Sequence, residues 1–221
     1  MKTIAYLASL AVIVLPLSGI AQEQATVSQS VDVRNYGDFE LDEWVYDAKR
    51  VAVGWSRQFD KANEMIQTLG RGTVAYPRNL RFKDGVIECD MAGGAYLGIS
   101  FRIRDVDGKR LSEDIYFRLL GNQRPKTVQY YPHGKLKQDE LHRPPYEQAI
   151  RPIEQNEWFH VRIEVQGRQA RVFLDGRQEP VQVIDDLMHD HTEGSVGVRS
   201  WGGRFANLNV TLTEAVVHRA N

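Results

Sequence analysis

The stretch "LGISFRIRDVDGKRLSEDIYFRLLGNQRPKTVQYYPHG", residues 97–134, alternates apolar and polar residues on both sides of an Asp107-Gly108 pair. Successive side chains of an extended strand point to opposite faces, so Leu97, Ile99, Phe101 and Ile103 form one inward set. Ile115, Phe117 and Leu119 form a second, and Val128 and Tyr130 a third. The positions between them hold Arg102, Tyr116, Arg118, Gln129 and Tyr131, where a solvated face usually carries short polar residues, Lys or Glu. Planar donors and phenols match what a sugar requires: hydroxyls bridged by Arg and Gln, and C–H faces stacked on rings. The alternation predicts a polar ligand groove on the outer face of a sheet. The competing reading is a salt-bridged, stacked outer face that binds nothing.

From about residue 73 onward the same period of two recurs. "GVIECDMA", "WFHVRIEVQG", "QARVFLDG", "PVQVID", "GSVGVRS" and "FANLNVTLT" each read as a strand, with "AYLGISFRIRD", "EDIYFRLLG" and "KTVQYYP" from the first stretch. Lys83-Asp84-Gly85, Asp107-Gly108, Gln166-Gly167-Arg168 and Asp175-Gly176 separate them as turns. Many short strands without long intervening helices predict an all-β, two-sheet antiparallel sandwich. The polar insert 134–152 reads as a loop over one mouth of it.

Before residue 73 the period looks helical. Leu41, Trp44, Val45 and Ala48 predict one short helical segment, and Phe59, Ala62, Met65, Ile66 and Leu69 a second, with Ser56 as N-cap and Gly70 as C-cap. Residues 22–38 read as a linker or an edge strand, and 39–216 as a single domain. Residues 1–21 resemble a secretory leader: Lys2, an apolar run from Ile4 to Leu17, then Gly19 and Ala21 at the positions a signal peptidase reads. That run is shorter than the ~20 residues of a membrane span. The expectation is a secreted or periplasmic protein cleaved near Ala21, with no membrane span in its mature form.

The 221-residue chain has a net charge of −1, so it offers no basic footprint for nucleic acid. Cys89 is the single cysteine, and the alternation of "GVIECDMA" turns it inward as a core side chain. On the same strand Glu88 and Asp90 face the other way, about 6.6–7 Å apart. That separation falls in the range of inverting glycosidases, roughly 6.5–9.5 Å. Pairing with Arg102 or Arg118 on neighbouring strands would instead make the two carboxylates structural. "RDVDGKR" opens like a calcium loop, but Lys109 stands where a third oxygen ligand belongs. No cofactor is called for, a structural calcium being the one ion left open. His189, Asp190 and His191 in "MHDHTEG" read as a solvated loop, and Trp201 in "SWGGRF" as the tryptophan best placed to stack on a sugar.

The ordered motifs "FKDGVIECDM", "GISFRIRD", "IYFRLLGN", "VQYYP", "WFHVRIEVQGRQARVFLDG", "PVQVIDDL" and "GSVGVRSW" resemble concanavalin A-like jelly rolls over about residues 80–213. Within that group the chain is similar to laminin-G-like bacterial domains, including 3-keto-disaccharide hydrolases. The resemblance implies two curved sheets, with ligands lying across the concave one or on its rim loops. Glu88, Asp90, Arg102, Tyr116, Arg118, Gln129, Tyr131 and Trp201 are accordingly the candidate binding residues for a carbohydrate or other polyol. The alternatives are a glycoside hydrolase acting on (3-keto-)disaccharides or glucans, with Glu88 or Asp90 as its acid or base, and a structural or adhesion module.

Overall fold

A computed structural model describes residues 26–28, 44–46, 51–56, 63–68, 72–93, 95–119, 126–154 and 156–213. Its strands are β1 (Thr26–Ser28), β2 (Trp44–Val45), β3 (Val51–Ser56), β4 (Asn63–Thr68), β5 (Thr73–Pro77), β6 (Gly85–Gly93), β7 (Tyr96–Val106) and β8 (Lys109–Arg118). They continue with β9 (Thr127–His133), β10 (Glu147–Ala149), β11 (Phe159–Gln166), β12 (Gln169–Leu174), β13 (Gln182–Ile184), β14 (Ser195–Ser200) and β15 (Gly203–Thr213). All nine strands read from the alternating segments are present.

Two antiparallel sheets make a jelly-roll sandwich. One runs β13-β12-β11-β6-β15-β4-β3, with β1 paired to β15; the other runs β10-β9-β8-β7-β14-β5-β2. Ile87, Cys89 and Met91 of β6, with Phe159, Val161 and Ile163 of β11, meet Leu97, Ile99, Phe117 and Val128 of the second sheet in one buried core. Strands with a two-residue period bury one face and hydrate the other, which is why sheet packs on sheet. Cys89 is fully buried, and burial pushes its thiol well above its usual pKa. Asp107 and Gly108 both take positive φ in the β7–β8 hairpin, as a type I′ turn requires.

The helical expectation before residue 73 is corrected. Trp44 and Val45 form β2, paired to Pro77 and Tyr76; Met65 and Ile66 lie in β4, and Ser56 ends β3. β4 is held on both edges, Ile66 by Val53 of β3 and by Phe205 of β15. These long-range ladders override the local spacing. Leu41, Ala48, Phe59, Ala62, Leu69 and Gly70, like the leader 1–21, lie outside the described residues.

The insert 134–152 is more than a loop. It contains a 3-10 turn, Gln138–Leu141, and β10, which extends the second sheet beside β9. Gln182 Nε2 on β13 donates to the carbonyls of Pro145 and Tyr146 at 3.0 and 2.9 Å, fastening the insert to the opposite sheet. The 186–193 segment is not wholly solvated either: His189 is buried, and its backbone N–H donates to Glu113 Oε1 at 2.9 Å.

Candidate functional site

The outward positions of the β9-β8-β7-β14 half of the second sheet fall into cross-strand rows. One row runs Glu147, Gln129, Tyr116, Gly98, Arg199. The row beside it runs Thr127, Arg118, Tyr96, with Trp201 next to Tyr96 through its backbone N–H bond to the Tyr96 carbonyl. On the other flank Tyr131 faces Asp114, which faces Ser100. These rows line an open cavity of about 290 Å³, whose walls include Tyr96, Tyr116, Arg118, Gln129, Tyr131, Arg199 and Trp201, with Leu141 from the insert on the rim.

Five residues singled out from the sequence therefore converge there: Tyr116, Arg118, Gln129, Tyr131 and Trp201. The Tyr116 and Tyr131 rings stack at 6.0 Å with 27° between planes. Tyr96 meets Trp201 edge-on at 4.9 Å, and the Arg118 guanidinium lies 5.5 Å from the Tyr96 ring. Burial, then the Asp114 carboxylate, push the Tyr116 phenol well above its usual pKa against the opposing Arg199, so it remains an uncharged donor.

A polar hub holds Arg118 and Gln129 of the cavity wall. Arg118 Nη1 reaches Glu147 Oε1 at 3.1 Å and His142 Nδ1 at 2.8 Å, while Gln129 Nε2 approaches the same Nδ1 at 3.2 Å. The same Nδ1 lies 3.2 Å from Glu147 Oε2, so one ring nitrogen is shared between two donor groups and a carboxylate acceptor. Burial raises the Glu147 carboxyl, but hydrogen bonds from Thr127 and His142 and the Arg118 charge together hold it below its ordinary value. At the other end Arg199 Nη1 donates to Asp114 Oδ2 at 2.5 Å, and its guanidinium lies 5.3 Å from the Tyr116 ring.

Three expected members stand elsewhere. Arg102 sits at a register shift between Phe101 and Arg104, with φ of 52°, which turns it out of the alternation. Its side chain is fully buried, donating to the Lys83 carbonyl at 2.9 Å, the Gly167 carbonyl at 2.6 Å and Asp84 Oδ1 at 3.2 Å. Beyond the bulge Ile103 packs with Val74 and Tyr76, away from the main core and not within it. Glu88 and Asp90 do face away from the core, but on the other sheet, across the sandwich from the cavity. Neither meets Arg102 or Arg118. Asp90 Oδ1 pairs with His160 Nδ1 at 2.8 Å, Glu88 Oε1 approaches His160 Nε2 at 3.5 Å, and Asn207 donates to Asp90 Oδ2.

Tyr96 and Arg199 were missed, although the signal was present. Each alternates with inward residues, Leu97 and Ile99 in one case, Val196 and Val198 in the other. His142, Glu147 and Asp114 carry no local signal that would have placed them beside the arginines.

Residues 34–211 match the family model described as the 3-keto-alpha-glucoside-1,2-lyase-like domain. Comparison with curated proteins gives no match. Among solved structures, a protein of unknown function with galectin-like fold from Bacillus subtilis aligns with a TM-score of 0.57 at 13% identity, over 86% of this chain and 100% of that one. The carbohydrate-binding module CBM66 from Bacillus subtilis aligns at 0.50 and 16%, over 75% of this chain and 93% of that one. The kappa-carrageenase from Pseudoalteromonas carrageenovora, solved with an oligotetrasaccharide of kappa-carrageenan, aligns at 0.54 and 10%, over 90% and 100%. At these identities the likeness is one of fold.

Proposed function

Because the chain belongs to the family of 3-keto-alpha-glucoside-1,2-lyase-like domains, we propose that the cavity on the outer face of the second sheet binds a carbohydrate. One observation carries this reading: stacked phenols, an indole, two guanidiniums and an amide arrive from four strands and the turn after β14 in a single cavity of about 290 Å³. Rings supply apolar faces for sugar C–H groups, while Arg118, Arg199 and Gln129 supply planar donors for hydroxyls. The volume lies near the lower end of ligand pockets, roughly 300–1,000 Å³, which suits one or two sugar rings. The jelly-roll neighbours named for or solved with carbohydrate share the scaffold and lend it plausibility as a sugar-binding one. Residues 1–21 would direct the chain out of the cytoplasm, because Gly19 and Ala21 follow an apolar run of leader length.

Family membership also favours a second reading, cleavage of the bound glycoside. In that case the acid–base groups would come from the His142–Glu147 pair beside Arg118, since Glu88 and Asp90 lie across the sandwich. Titrating the purified protein with mono- and disaccharides, with and without oxidation at C3, while monitoring sugar release separates the two. Binding without release supports the first reading and release the second. Neither binding nor release would overturn both.

A further inference from the structure

The cavity contains two arginines, yet neither presents an uncompensated positive charge. Arg199 is tied through Nη1 to Asp114 Oδ2 at 2.5 Å, and Asp114 is itself 1% exposed, with its second oxygen taken by Ser112 Oγ at 2.7 Å. That carboxylate is fixed from both sides and cannot swing away as a surface counter-ion does. Arg118 is matched in the same way by Glu147 at 3.1 Å, whose Oε1 also accepts from the Thr127 hydroxyl at 2.7 Å. The remaining polar walls, Tyr116, Tyr131, Gln129 and Ser200, are uncharged.

We infer that Asp114 and Glu147 are specificity-determining residues: each neutralises one arginine of the cavity, so the site selects uncharged sugars over acidic ones. The inference rests on the carbohydrate reading above. Recognition of a carboxylate or sulfate by arginine uses the free fork of guanidinium N–H groups and its unbalanced charge. Here a protein carboxylate already engages each guanidinium. An acidic sugar would have to displace a held carboxylate or lie beside it, and like charges in a partly desolvated site repel. Discrimination of this kind comes from a repulsive element as much as from an attractive one. Arg199 keeps Nη N–H groups for neutral acceptors, because Asp114 is its one protein acceptor among the described residues. Hydroxyl and carbonyl oxygens can take these bonds without bringing charge.

Methyl α-glucoside and methyl α-glucuronoside differ only at C6, a neutral hydroxymethyl against a carboxylate, and serve as the probes. Isothermal titration should show the natural protein binding the glucoside at least tenfold more tightly. Asp114→Asn and, separately, Glu147→Gln each remove one negative charge with little change of shape, and each should shrink that ratio about tenfold by admitting the acid. Circular dichroism establishes that each variant is folded. Should Asp114→Asn fail to fold, Glu147→Gln, at the less buried of the two carboxylates, carries the comparison. Equal binding of the two sugars, preference for the glucuronoside, or a ratio unmoved in the folded variants overturns the charge-balance inference and leaves the carbohydrate reading intact. If the natural protein binds neither these probes nor the neutral disaccharides, the carbohydrate reading falls and this inference with it.

Discussion

The Arg199 guanidinium lies 5.3 Å from the Tyr116 ring although β7 runs between their strands. The residue directly between them in the row is Gly98, which presents no side chain. A methyl group there would collide with the Ile115 carbonyl oxygen and stand 3.0 Å from Tyr116 Cα. Gly98→Ala should therefore push β7 from β8, costing about 1–3 kcal/mol as overpacking does. It should also weaken sugar binding by separating Arg199 from Tyr116. Denaturant melts and titration calorimetry on the same sample check both effects.

Removing the cavity's own contacts should act on binding more than on folding. Arg118→Ala deletes the donor to Glu147 and His142, and Tyr131→Ala deletes half of the stacked pair. Each should weaken carbohydrate binding by roughly 1–3 kcal/mol, the cost of leaving a site's polar or stacking partners unmatched. The glucoside titration reads this directly, and a melt without ligand should change less than the affinity does.

Arg102→Ala should be as damaging as a core truncation. The side chain is 0% exposed and ties β7 to the Lys83 and Gly167 carbonyls and to Asp84, joining the two sheets at one edge of the sandwich. Breaking a buried ionic contact from one side costs about 3–5 kcal/mol. Phe117→Ala, which empties the core beside Phe159 at 5.3 Å, should cost a similar ~3–5 kcal/mol. Urea unfolding of both variants is the comparison, and an Arg102→Ala loss below 1 kcal/mol would contradict this placement.

The His160 cluster should leave a signature in pH. The hydrogen bond to Asp90 raises the His160 pKa; burial opposes it, and the charges of Asp90 and Glu88 add to the rise. The folded protein thus holds the imidazolium proton more tightly than the unfolded chain, whose histidine titrates near 6.5. The stabilisation is fully present below that value and is lost as pH rises through the folded-state value. His160→Gln should accordingly be more destabilising at pH 5.5 than at pH 9. Melting both proteins across that range tests it, and a difference that grows with pH would exclude the imidazolium bridge.

Export makes a separate prediction. The mature protein recovered outside the cytoplasm should begin at Gln22, following cleavage after Ala21. N-terminal sequencing decides it; a chain beginning at Met1 in a membrane fraction would refute it.

The sequence by itself determined the sandwich and, along each regular strand, which side chains face the core. Both follow from local physics: a pleat with period two and turn pairs such as Asp107-Gly108 that close hairpins. Tyr116, Arg118, Gln129 and Tyr131 were legible for that reason, since their strands are adjacent and unbroken. Alternation says that a residue points away from the core, but not from which sheet. Glu88 and Asp90 thus share an outward orientation with Tyr116 and still lie across the molecule from it. Nor does it register a bulge, so Arg102 and Ile103 exchange their expected environments at a single positive φ. The segments of β2 and β4 show helical spacing and become strands because β5 and β15 offer them edges, partners remote in sequence. The pairing of Arg199 with Asp114 was likewise decided only when β14 docked beside β7, far away in the chain, and that of Arg118 with Glu147 when the 134–152 insert turned back to set β10 on β9.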